Sequence, residues 1–326
     1  MSMRQTVLAA LSVITLIAAA PLAAQTYPGK PIRMVTPFPP AGSLDVVGRS
    51  VVNRLSVSLG QTVILENRPG AGGVIGSESV ARSAPDGYTL LLSSASTHSI
   101  APALQPKLPY DPIKDFTPII EITPGGATVL MVAINAPWKS AGEMIAFARA
   151  NPEKVSFGTG GVGTVPHLTT SALAAHTGTQ FLHVPYKGAA LVMPDLIAGR
   201  VSFMFDSIIS AQPHVNGGKV RALGVSGGKR SPLLPEVPSF PESGLPGFEP
   251  PGAYMGVWGP AGLPSLIVAR LNMDLNRMLQ SQDMKEQMAK LGIEATGGTP
   301  EAFGEHVRAD RGRWAEVVAK TGLKVD

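Results

Sequence analysis

A chain of 326 residues with an apolar share of 44% has length for one large or two medium domains and for a sizeable core. It has no cysteine, which excludes disulfides, thiolate catalysis, cysteine-ligated metals and a lipid anchor on an N-terminal cysteine. The formal charge of +4 is scattered rather than gathered into a basic run, so nucleic acid is not expected as a partner.

In chain order, residues 1–24 read as a cleavable secretory signal. Arg4 gives the positive start, Val7 to Ala20 an apolar core shorter than the roughly 20 residues of a membrane span, and Leu22-Ala-Ala24 the small residues for cleavage. Ile32-Arg-Met-Val-Thr36 is a strand candidate that breaks at Pro37-Phe-Pro-Pro-Ala-Gly-Ser43. Val47, Val51, Leu55 and Leu59 then recur at four-residue spacing, as on one face of a helix. Ser43 suits its N-cap, and Asp45 either balances the helix dipole or touches a ligand. Thr62 to Leu65, a turn at Asn67 to Gly73, a helix from about Val74 to Ser83 and a buried strand Tyr88 to Leu92 follow. That strand leaves through Ser93-Ser-Ala-Ser-Thr-His98, where Ser93, Ser94 and Thr97 either line a site or cap the next helix. Strands alternating with helices predict a parallel sheet, with ligands at the carboxyl ends of its strands.

Strand candidates 117–122 and 127–133 flank Pro124-Gly-Gly126, read as a crossing into a second domain. There a helix at Ala141 to Ala150 precedes strand Lys154 to Phe157, which runs into the glycine cluster Gly158-Thr-Gly-Gly-Val-Gly-Thr164. A helix opens near Pro166, with Leu168, Ala172 and Ala175 on one face. Glycines let the backbone approach a bound group closely, and the amides of a helix N-terminus suit an anion. No Asp or Glu lies between Glu153 and Asp195 to oppose a negative charge. Gly158, Gly160 and Gly163 also fit a dinucleotide pattern, but the acidic residue expected about 20 residues on is missing from Phe181 to Tyr186. A tight turn without a ligand is the remaining alternative. Because neither loop contains Lys or Arg, the hydroxyls of Ser43 and Thr164 and the backbone at Gly42, Gly161 and Gly163 are expected to hold a small anion. Lys187 is the nearest cation that would change this account.

Strand Val201 to Phe205 ends at Asp206, and Arg221 to Val225 reads as the return crossing. Prolines from Pro232 to Pro246 predict extended chain, and the tail reads as helices Ser265 to Gln280, on to Lys290, and Pro300 to Thr321. Gly224-Val-Ser-Gly-Gly228 fits a nucleophile elbow, with Ser226, Asp274 and His306 in triad order. The elbow needs a helix directly after its serine, and here prolines follow, so a serine hydrolase is the weaker alternative. The six histidines lack metal spacing, and no cofactor is expected.

Several ordered stretches resemble the receptors of tripartite tricarboxylate transporters, the Bug-type family. They are Pro37 to Asp45, Glu66 to Gly73, Pro85 to Leu90, Leu108 to Asp111, Gly161 to Thr164 with His167-Leu168, His183 to Gly188, Met204 to Asp206 and Leu245 to Phe248. The resemblance covers essentially the whole mature chain. It implies an α/β, two-lobed periplasmic binding protein type II-like fold with the ligand cleft between the lobes. It also implies a non-enzymatic receptor that passes a small organic carboxylate to membrane permease subunits. On this reading 26–124 plus 227–326 form lobe one and 125–226 lobe two, in a monomeric periplasmic protein. The implied ligand-binding residues are Phe38, Ala41, Gly42, Ser43, Asp45, Ser93, Ser94, Thr97, Gly160, Gly161, Gly163, Thr164, His167 and Asp206. Ala41, Gly48, Ser171 and Ser207 depart from the family's usual residues, which bears on the far end of the ligand rather than on its anchor.

Overall fold

The computed structural model describes residues 27–105 and 107–323, so the expected signal peptide lies outside the described residues. In chain order the elements are β1 (Ile32–Thr36), α1 (Ser43–Leu59), β2 (Val63–Asn67), α2 (Val74–Ala81) and β3 (Thr89–Ser94). A π-turn (Ser96–Ile100) leads into α3 (Ala101–Leu104), then β4 (Phe116–Thr123), β5 (Thr128–Ala133), α4 (Ala141–Ala150), β6 (Ser156–Thr159) and α5 (Val165–Thr177). Next come β7 (Leu182–Pro185), α6 (Val192–Ile197), β8 (Phe203–Ser207), α7 (Ile208–Asn216), β9 (Val220–Val225) and β10 (Met255–Pro260). The chain ends in α8 (Ser265–Gln280), α9 (Gln282–Lys290) and α10 (Pro300–Thr321).

The strands form two 5-stranded sheets, ordered β2-β1-β3-β10-β4 and β7-β6-β8-β5-β9. In each, three neighbouring strands run parallel and the fourth opposes them: β10 pairs antiparallel with β3 and β4, and β5 with β8 and β9. The sheets are therefore mixed, where helix alternation alone predicts parallel ones. Alternation reports only the strand-helix-strand units; β5 and β10 each enter a sheet directly after a crossing and fill the slot beside its parallel trio. Strand β10 is not among the predicted strands, although all six of its residues are buried: two glycines and a proline leave it without the apolar run of the others.

Both faces of each sheet are covered, and the strands alternate between them. Met34, Leu90, Leu92 and Val257 pack with Val47, Val51 and Leu55 of α1 and with Leu271 and Leu275 of α8. Their neighbours Val35, Leu91 and Trp258 pack with Phe303 and Trp314 of α10. In the second sheet Leu130, Val132, Phe203 and Phe205 face one cluster, and Val129, Met131 and Met204 the other. The proline-rich segment contributes Phe240, Leu245 and Phe248 to the first of these clusters, and Leu234 and Val237 to the second. Its packing thus belongs with the second sheet, although the sequence suggested the side of lobe one. Arg221 to Val225 is an edge strand of that sheet; the chain returns to the first sheet only at β10. On α5 the buried positions include Leu168, Thr169 and Leu173, whereas Ala172 is half-buried and Ala175 is exposed.

The two halves touch across the cleft. Val165 N–H donates to Ser96 Oγ (3.3 Å). A Cβ on Gly72 would stand 2.7 Å from the carbonyl oxygen of Val162, and one on Gly188 would collide with Pro39.

Candidate functional site

The loop between β1 and α1 is shaped by Asp45. Its Oδ2 accepts from Ala41 N–H (3.1 Å) and Arg49 Nε (2.9 Å), and its Oδ1 from Arg49 Nη2 (3.2 Å) and Asn67 Nδ2 (3.0 Å). Asn67 also donates to Phe38 O (3.1 Å), so two side chains hold the loop from beneath. Burial pushes the Asp45 carboxyl up, but donors from Arg49, Ala41 and Asn67 outweigh it and leave it below the usual carboxylate range. Ala41 sits in the left-handed region (φ 65°), which costs a residue with a Cβ and explains why glycine suits that position. The helical ladder of α1 starts at Val46 N–H to Gly42 O, and its N-cap, Gly42, makes no side-chain cap. The N–H groups of Ser43 and Leu44 therefore precede the ladder and stand at the positive end of a 17-residue helix.

The glycine loop is held by neutral groups instead. Gly161 (φ 135°) and Gly163 (φ 78°) adopt the left-handed half of backbone space that their lack of a Cβ permits. Thr159 Oγ1 accepts from Gly161 N–H (3.2 Å) and bonds His183 Nε2 (2.7 Å). Gly163 N–H donates to His167 Nδ1 (3.1 Å), so that ring carries its proton on Nε2. The rings of His167 and His183 stack at 4.2 Å, and His183 stacks on Phe157 at 4.6 Å. Burial lowers both imidazoles to about 4, helped for His167 by His183, and keeps them neutral. Thr164 is the N-cap of α5 without a side-chain cap; its Oγ1 donates to Gly161 O (2.8 Å). That hydroxyl has one proton and spends it inside the loop, where it braces the turn.

Between the two loops lies a cavity of about 120 Å³, lined by Phe38, Gly42, Ser43, Ser94, Gly160, Thr164 and Asp206 among the expected residues. This is small beside the roughly 300–1,000 Å³ of drug-sized clefts, and suits a small metabolite rather than a drug-sized ligand. Ser96, Thr128, Ser207 and Met255 also line it, and sequence reasoning did not select them. Ser96 belonged to the hydroxyl-rich exit of β3; nothing in the sequence marked Thr128 or Met255. The N-termini of α1, α5 and α7 all reach this wall, through Ser43, Thr164 and Ser207.

Other expected residues support the wall without forming it. Asp45 and Ala41 brace the first loop, and His167 the second. Ser93 Oγ and Thr97 Oγ1 bond each other (2.7 Å) in the interior, where Thr97 also meets His98 Nδ1 (2.8 Å). His98 stacks on Trp258 at 4.0 Å, and burial lowers it to about 3. Gly161 lines an adjoining outer chamber of about 980 Å³, which also carries Lys107 and Lys187. Among the described residues, Asp206 is the one titratable side chain on the inner wall.

The elbow residues are dispersed. Ser226 Oγ accepts from Thr128 N–H (2.8 Å), Asp274 binds Ser58 and Arg270, and His306 pairs with Glu121.

Two α/β halves, joined by two crossings and closing helix N-termini on a small cavity, define a solute-binding protein of the periplasmic type. Residues 47–323 match the model of the tripartite tricarboxylate transporter family receptor, and the chain belongs to that family of receptors, which are binding proteins and not enzymes. Three solved structures are similar over most of their length. The periplasmic binding protein BugD is 36% identical with a TM-score of 0.86, over 91% of this chain and 99% of its own. Rpa4515 of R. palustris, solved with adipate, is 32% identical with a TM-score of 0.88, over 91% and 99%. MatC of Rhodopseudomonas palustris, solved with malate, is 33% identical with a TM-score of 0.84, over 90% and 100%.

Proposed function

We propose that this receptor captures a small organic carboxylate in the periplasm and passes it to the membrane subunits of a tripartite tricarboxylate transporter, acting as a monomer without cofactor or nucleic acid. The observation that carries this reading is the meeting of the uncapped N-termini of α1 and α5 on one cavity whose described lining contains no Lys or Arg. Helix N-termini attract anions through their unpaired N–H groups and their dipole. Export across the inner membrane rests on the signal-like residues 1–24, and similarity to BugD agrees with the compartment. Adipate on Rpa4515 and malate on MatC support the ligand class.

Lobe one (26–124 plus 227–326, less the segment 234–248, which packs on the second sheet and moves with it) and lobe two (125–226) hinge at 124–127 and in the stretch before β10. Closure brings α1 and α5 to the same anion and shields it from water, where charge–dipole attraction is stronger. Thermal-shift screening against aliphatic, amino-acid and aromatic carboxylates tests the function. At least one is expected to raise Tm with saturation; a panel without any response contradicts it.

A further inference from the structure

The far wall of the cavity holds a carboxyl group with unfinished bonding. Asp206 is the penultimate residue of β8, is only 7% exposed, and lines the cavity. Its Oδ1 accepts from Ser207 N–H (2.7 Å), while its Oδ2 has no hydrogen-bond partner among the described residues and is not sealed from the cavity. A buried carboxylate without a cation is costly, so it either takes a proton or waits for a partner from outside.

Among the described residues, nothing packed against Asp206 supplies that partner. The residue opposite on β5 is Val129, and neither β5 nor β6 carries a titratable side chain. The helices packed on β8 are α5, α6 and α7. On α5, His167 is bonded to Gly163 and His176 to Pro246 O. On α6, Asp195 is held by Arg200 and Tyr186; on α7, His214 lies in the last turn. Burial pushes Asp206 up to about 7, opposed only by the Ser207 N–H.

We infer that Asp206 is the specificity-determining group for the far end of the ligand: it carries a proton in the complex and donates it to the second carboxylate of a dicarboxylate. This rests on the proposed function and names its ligand class more closely. The first carboxylate sits on the amides of α1 and α5. The second, arriving beside Asp206, would face a like charge if both were ionised, and a single proton shared between them removes that repulsion. Binding from solution above neutral pH therefore takes up one proton, delivered to the Asp206–ligand carboxyl pair.

The test is calorimetric titration of adipate, malate and aspartate into the full mature chain between pH 6 and 9, in two buffers of different ionisation heat. Wild-type affinity is expected to fall about tenfold per pH unit above neutrality, with one proton taken up. Asp206→Asn keeps a donor without the charge, so its profile should be flat and its affinity at pH 8.5 above wild type. Asp206→Leu removes the donor and should bind weakly at every pH. A flat wild-type profile overturns the inference, as does an Asn variant as weak as the Leu variant. So does tightest binding of aspartate that is lost in Asp206→Asn, because Asp206 would then act ionised, on an ammonium. These outcomes leave the carboxylate receptor standing; failure of every carboxylate to bind removes both.

Discussion

The two loops that frame the cavity do the same job with opposite chemistry. The first is tied by an ionised side chain, Asp45, which gathers Ala41, Arg49 and Asn67. The glycine loop is tied by uncharged groups, Thr159 and Thr164, standing on the stacked imidazoles His167 and His183. Each brace spares the cavity a fixed cation, so the anchoring charge is left to backbone amides. The difference lies in what disrupts them: the first brace should yield to removal of a charge, the second to crowding and to acid.

Crowding has the largest expected effect. A Cβ on Gly160 would stand 2.6 Å from Ala189 N, against backbone that has little room to move. Gly160→Val should lower carboxylate affinity by roughly 100-fold or more, about 2.7 kcal/mol, in calorimetric titration. Second is Asp45→Ala, which strands four donor contacts on a buried position. Part of that loss is screened because Arg49 is 61% exposed. A destabilisation of about 2–3 kcal/mol in urea unfolding, with weakened binding, is expected.

The sequence made the first loop more legible than the second. Four-residue spacing located α1, and Val47, Val51, Leu55 and Leu59 are all buried as expected. The boundaries of α4, α8 and α10 follow equally from periodicity and from flanking caps such as Ser140 and Thr299. What periodicity does not encode is pairing between distant strands, hence the unexpected antiparallel β10 and the mixed sheets. Around the cavity the sequence marks hydroxyl residues but not their orientation. Ser94 faces the cavity and Ser93 the core, because successive strand residues point to opposite sides. Thr164 lines the cavity, yet its proton goes to Gly161, a local bond that only the turn geometry reveals.

Acid should separate the two braces. Folding keeps His167 and His183 near 4, below the ordinary value of 6.5, so the unfolded chain binds more protons between those limits. Their contribution to stability is full above about pH 6.5 and is lost as pH falls towards 4. Asp45 is depressed from 3.8, so its contribution persists until lower pH. Tm should therefore decline from pH 6.5 to 4.5, and His183→Phe, which retains the stack, should make that decline shallower. An unchanged slope would assign the acid sensitivity elsewhere. Smallest is Thr164→Val: losing a neutral bond worth about 0.5–1.5 kcal/mol should weaken binding roughly 2- to 10-fold. A far larger loss would mean that the hydroxyl donates to the ligand after all.

The claim beneath all of these is that a carboxylate is held by amides from both lobes without a lysine or arginine. Backbone amide NMR of the labelled protein, titrated with the carboxylate that gives the strongest thermal shift, tests it directly. The largest perturbations are predicted at Ser43, Leu44, Thr164 and His167, the N–H groups at the openings of α1 and α5. Perturbations concentrated instead around Lys107 and Lys187, with those four amides unmoved, would contradict the account.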